Sequence, residues 1–127
     1  MNKTIMIVGI FLGATAVLLG AFGAHGLEKL LDTDAIRTFE TGVTYQMYHA
    51  LFLLILGNTK RLSASQKKLI FFFITIGVFF FSFSIYFLAT NDLTGFNFKK
   101  IAFITPLGGC CIILGWVFFG IRMFKQK

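Results

Sequence analysis

Residues 69–90 read LIFFFITIGVFFFSFSIYFLAT, a run without a single charge. At 1.5 Å of rise per residue, a helix over this run is about 33 Å long. Roughly 20 mostly apolar residues suffice to cross a hydrocarbon core of about 30 Å. Phe71, Phe72 and Phe73, and again Phe79, Phe80 and Phe81, are unbroken apolar triplets, so the alternation of a barrel strand is missing. Backbone polar groups in lipid must pair within their own segment, which makes this run a membrane-spanning helix.

Working outward, three further stretches meet the same length criterion, at about 4–23, 37–57 and 101–121. The sequence therefore predicts an all-α fold, an integral membrane four-helix bundle forming a single transmembrane domain over residues 1–127. Composition agrees, because 57% of the residues are hydrophobic and only 13% are charged. A water-wetted domain carries about 25% charged residues. An apolar run such as 5–19 is near the upper length of a signal-peptide core, and it is read here as a retained helix.

The net charge of +7 raises nucleic acid as a partner, but the placement of the charges points to a bilayer. Four crossings put the N-terminus, the 58–68 loop and the C-terminus on one side. That side carries Lys3, Lys60, Arg61, Lys67, Lys68, Arg122, Lys125 and Lys127, eight of the twelve basic residues. The other side carries Lys29, Arg37, Lys99 and Lys100 with all five acidic residues, Glu28, Asp32, Asp34, Glu40 and Asp92. Basic residues concentrate in short cytoplasmic loops, so both termini are expected to be cytoplasmic. Membrane lipids, not nucleic acid, are the expected partners.

Between the spans, residues 26–36 read as a short amphipathic turn or helix at the outer interface, with Thr33 or Asp34 capping the second helix. Asn91, Asp92, Thr94 and Gly95 supply turn chemistry to the second outer loop. Ser63, Ala64 and Ser65 read as a short solvated inner loop. Small residues recur at helical spacing, Gly9 and Gly13 and then Ala16, Gly20 and Ala24 in the first helix, which is expected to be central. Gly23, Gly108 and Gly109 join this set of packing positions.

The second helix is the one that carries chemistry. With His49 as zero and 100° per residue, Tyr45 falls at about −40°, Gly42 at about +20° and Gln46 at about +60°. An unpaired polar group in hydrocarbon costs several kcal/mol, so this stripe must turn away from lipid. Ser82 and Tyr86 of the third helix, Thr105 and Pro106 of the fourth, and His25 at the end of the first fall in the same outer half. Together they predict either a polar-lined cavity opening outward or a tightly hydrogen-bonded knot.

Two readings stay open for that stripe: side chains that fix the packing, or a ligand or proton pathway, since an ionisable residue inside a membrane is a functional candidate. His25 and His49 differ by about 10 to 15 Å in depth at 1.5 Å per residue, too far to share one metal ion. No metal or other cofactor is expected. Cys110 and Cys111 are adjacent and lack the spacing of a metal or redox motif. No catalytic triad, phosphate loop or carboxylate pair is present at useful spacing, so an enzyme is not expected.

Five stretches taken together carry a resemblance: Gly20-Ala-Phe-Gly-Ala-His-Gly-Leu27, Phe39-Glu-Thr-Gly-Val-Thr-Tyr-Gln-Met-Tyr-His-Ala50, Ser84-Ile-Tyr86, Ile104-Thr-Pro-Leu-Gly-Gly109 and Gly115-Trp116. In this order they resemble the small four-helix membrane proteins known as domain of unknown function 423, or uncharacterised protein family 0382. The resemblance covers nearly the whole chain and implies a bacterial plasma-membrane protein with four spans. It brings no activity, substrate or catalytic residue with it. The chain departs from the family pattern in its Phe-rich third helix and longer polar 91–100 loop.

The leading expectation is a non-enzymatic multi-pass protein contributing to membrane organisation or stability, with lipid as its ligand. The alternative is a small-solute or proton-coupled transporter or channel component that uses the outer polar cavity. Four helices are few for a transporter, so that alternative calls for a homo-oligomer.

Overall fold

The computed structural model describes residues 2–95 and 97–125. Phe96 in the second outer loop and Lys127 at the basic end lie outside the described residues. Four long helices make up the structure: α1 (Lys3–His25), α2 (Thr33–Asn58), α3 (Ala64–Ala89) and α4 (Ile104–Lys125). Among the described residues there is no strand. The chain is an all-α membrane four-helix bundle. Segments containing α1, α3 and α4 are long and apolar enough to cross a membrane, with mean hydropathy 2.5, 2.3 and 2.1. The 26 residues of α2 are as long, but its polar stripe lowers its hydropathy.

Side-chain caps set where the helices begin. The Asn2 side chain accepts from the Ile5 N–H at 3.1 Å and starts α1. In α2 the cap is Asp32, not Thr33 or Asp34. Its backbone is extended, and its carboxylate accepts from the Ala35 N–H at 2.8 Å. Asp34 then falls inside the first turn, where negative charge still suits the positive end of the helix dipole. Ser63, Ala64 and Ser65 are not simply loop. The Ser63 hydroxyl accepts from the Gln66 N–H at 3.3 Å while the Gln66 side chain accepts from the Ser63 N–H at 3.0 Å. This reciprocal capping box starts α3 at Ala64 instead of residue 69. In the loops at the other end of the bundle, Leu27–Lys29 and Phe98–Ile101 form single 3₁₀ turns, so α4 begins only at Ile104.

The packing order is α1 on α2, α2 on α3, and α3 on α4. The first helix, expected to be central, is peripheral. Its four glycines form one narrow stripe, and all of them face α2: a side chain at Gly9 would meet the Ala50 carbonyl at 2.9 Å, one at Gly13 the Ala50 Cβ, one at Gly20 Val43 and one at Gly23 Phe39, whereas Ala24 is exposed. A single stripe serves a single neighbour, which leaves Ile10, Phe11, Val17 and Leu18 exposed on the opposite side.

Helix α3 contains a π turn over Phe79–Phe83. Gly108 of α4 sits directly against the backbone there. A Cβ at Gly108 would collide with the Phe81 nitrogen and the Gly77 carbonyl, whereas Gly109 beside it meets only the Phe81 ring. The interior divides by height. At the end holding Asn2 and Gly57, Leu53, Leu56, Ile70 and Ile74 form a fully apolar core with Ile5 and Ile112. At the other end Leu27, Phe39, Tyr86 and Ala89 form a smaller cluster. Between them lies a layer that is polar.

Candidate functional site

Gln46 is completely buried at the centre of that layer. Its Nε2 donates to the Leu12 carbonyl at 2.9 Å and to the Thr15 hydroxyl at 2.8 Å, both on α1. A carbonyl oxygen only accepts, so the amide nitrogen must face Leu12, and Oε1 is left facing α3. There it accepts from the Tyr86 hydroxyl at 2.7 Å. Thr15 passes its own proton to the Phe11 carbonyl at 2.9 Å. One amide therefore ties three helices and uses both of its ends.

Gly42 lies one turn away on the same stripe. The Tyr86 ring occupies the space a side chain would need, with a ring carbon 2.6 Å from where a Cβ would sit. The Gly42 carbonyl accepts from the Ser82 hydroxyl at 2.9 Å, so the π turn of α3 is hydrogen-bonded to α2. Tyr86 also packs on Phe39, ring centroids 5.0 Å apart. Gly42, Gln46, Ser82 and Tyr86 thus meet as one cluster.

His49 is buried but belongs to a separate group. Its Nδ1 lies 2.6 Å from the Tyr45 carbonyl one turn earlier, and the Trp116 indole N–H donates to its Nε2 at 3.0 Å. The carbonyl can only accept and the indole can only donate, so the ring is neutral with its proton on Nδ1. Trp116 stands edge-on to Phe52 at 4.5 Å, which completes a small aromatic wall between α2 and α4.

Other expected members lie elsewhere. The Tyr45 ring is 40% exposed and rests on Phe81 at 5.0 Å; it was expected to turn inward with Gln46. Tyr45 sits at the edge of the stripe, and its contribution inside is its carbonyl, not its hydroxyl. Thr105 pairs with Ser84 at 2.6 Å, linking α3 to α4 outside the Gln46 cluster. Pro106 is exposed in the first turn of α4, where its missing N–H is tolerated. His25 is exposed in the last turn of α1. Among the described residues no three His, Cys, Asp or Glu side chains are grouped so as to hold a metal ion.

Of the two forms expected, the Gln46 and His49 groups take the form of closed hydrogen-bonded knots. The nearest open space is a groove of about 560 Å³ between α2 and α4, lined by Tyr45, Tyr48, His49, Leu51, Ile112, Ile113 and Trp116. Sequence reasoning missed Thr15 and Trp116 as partners. Thr15 is the lone hydroxyl in the apolar run of α1, and an indole N–H within a membrane span needs an acceptor, so each signalled the need for a partner without identifying it.

The family described as Protein of unknown function (DUF423) matches residues 19–109, which include Gln46, His49, Ser82 and Tyr86 but not their partners Leu12, Thr15 and Trp116. A UPF0382 membrane protein of Staphylococcus saprophyticus is 37% identical, with 97% of this chain and 98% of that one covered. One from Haemophilus influenzae is 33% identical over 99% of this chain and 97% of its own. The UPF0382 membrane protein YwdK of Bacillus subtilis is likewise 33% identical, over 97% and 98%. No solved structure matches. With the family covering the middle of the chain and its relatives aligning from end to end, the protein belongs to the DUF423, or UPF0382, family of membrane proteins.

Proposed function

We propose that the protein is a non-enzymatic, multi-pass component of the bacterial plasma membrane that supports envelope organisation or stability by binding lipid. It crosses the bilayer four times with both termini in the cytoplasm. The orientation rests on the basic residues gathered at the end where the Asn2 N–H and the Lys67 ammonium both donate to the Gly57 carbonyl.

The observation that carries the non-enzymatic reading is the closure of the polar layer. Gln46 spends its amide on Leu12, Thr15 and Tyr86, and His49 spends both ring nitrogens on Tyr45 and Trp116. A proton carrier or a solute site needs a polar atom free to exchange partners, and neither residue offers one without breaking a hydrogen bond it already makes. These groups act as fasteners in a medium where lipid gives helices no hydrophobic reason to associate.

The test compares stability with transport. Gln46→Ala and His49→Ala should lose thermal stability in lipid nanodiscs in proportion to their failure to rescue a deletion strain under envelope stress. A variant that keeps its unfolding temperature yet abolishes solute or proton flux in proteoliposomes would replace this reading with the transporter one, whose residues would be Tyr45, Gln46 and His49.

A further inference from the structure

We infer that the groove between the first turns of α1 and α3 is a binding site for an anionic phospholipid, with its headgroup on Lys68 and an acyl chain on the aromatic floor below. This rests on the lipid-binding reading and names the lipid class and the place.

The groove is about 350 Å³ and combines two chemistries. Thr4 and Ile5 form one wall, Ala64 and Lys68 the other, and Phe71 and Phe72 line its apolar part. The Lys68 ammonium is 5.9 Å from the centre of the Phe72 ring, so charge and apolar floor are adjacent. Its neighbour Lys67 is buried, and its ammonium is taken by the Gly57 carbonyl at 3.3 Å. Lys68 is exposed, so the groove has a cation that can meet a phosphate.

Charge complementarity selects the occupant. Lys3 precedes Thr4, and Lys60 and Arg61 sit in the loop that leads to α3, while all five acidic residues lie at the far end of the bundle. A free phosphate would satisfy the cations but leave the half-buried Phe71 and the exposed Phe72 uncovered. A neutral lipid would cover them and leave the cations without a partner. An acidic phospholipid does both. Two other surface grooves lack this combination: one along Phe72, Phe73, Ile76 and Cys111, and one along Phe79, Phe83 and Phe87, are lined by no charged side chain, and a third sets Arg37 beside the carboxylates of Glu28 and Glu40.

The full-length protein in detergent is given equal amounts of dioleoyl phosphatidylglycerol and dioleoyl phosphatidylcholine, and retained lipid is counted by native mass spectrometry. Phosphatidylglycerol should be retained about fivefold over phosphatidylcholine, the effect of one cation at an anionic lipid. Lys68→Gln should remove that preference, and Thr4→Trp, which fills the groove without changing charge, should lower retention of both lipids. Lys99→Gln, at the far end, should leave the preference intact. Equal retention of the two lipids by the unaltered protein, or an undiminished preference in folded Lys68→Gln or Thr4→Trp, overturns the inference. That failure leaves the parallel loss in Gln46→Ala and His49→Ala standing, so the two proposals fail separately.

Discussion

Residues 52–57 of α2 bury Phe52, Leu53 and Leu56 in one cluster with Ile5, Ile70 and Ile74, whereas residues 42–49 bury Gln46 and His49 against Thr15, Tyr86 and Trp116. In water the first half would supply most of the stability. In a bilayer a leucine that leaves its neighbours enters acyl chains that are just as apolar, and it loses only the fit of its contacts. An amide that leaves its neighbours enters hydrocarbon with nothing to bond, at a cost of several kcal/mol. The apolar half therefore fills space, and the polar half decides which helices meet and at what height.

The largest effect is expected where one residue serves three helices. Gln46→Ala strands the Tyr86 hydroxyl and opens a void at a fully buried position, and it should destabilise by about 2 to 3 kcal/mol. Leu53→Ala, equally buried in the apolar half, removes contacts without stranding a polar group and should cost about 1 to 2 kcal/mol, from the cavity alone. Reversible unfolding in mixed micelles measures both. If Leu53→Ala proves the more damaging of the two, the two halves do not differ in the way argued here.

The same contrast explains what was legible in the sequence. Residues 69–90 announce a span because lipid solubility depends on length and the absence of charge, both local properties. The stripe of Gly42, Gln46 and His49 was legible because a helical period of 100° places them together whatever they touch. What they touch was not legible. Thr15 and Trp116 lie 31 and 67 residues from their partners, and no periodicity reports a pairing between helices. Nor does the Phe run of α3 reveal its π turn, since a stretch that is apolar on every side has no face whose shift could be noticed. The peripheral place of α1 was missed for a related reason, because a stripe of glycines tells that a helix packs closely but not how many neighbours it has. The starts of α2 and α3 were a different matter. Asp32 and the Ser63 and Gln66 pair are short-range signals and stood in the sequence to be read.

Thr75 offers the finest test, because it puts a polar atom on the wrong side of the division. It follows Ile74 in α3, in the apolar half, and among the described residues its hydroxyl is the one buried side-chain polar atom without a hydrogen-bond partner. An unpaired hydroxyl contributes desolvation cost and no bond, so replacing it with a methyl of nearly the same shape should be neutral or stabilising. Thr75→Val is expected to raise stability by up to about 1 kcal/mol, the reverse in sign of the two truncations above. Unfolding in the same mixed micelles reads it directly. A loss of stability would mean that the hydroxyl is bonded in the bilayer, and the lower half of the bundle would then hold a polar fastener of its own.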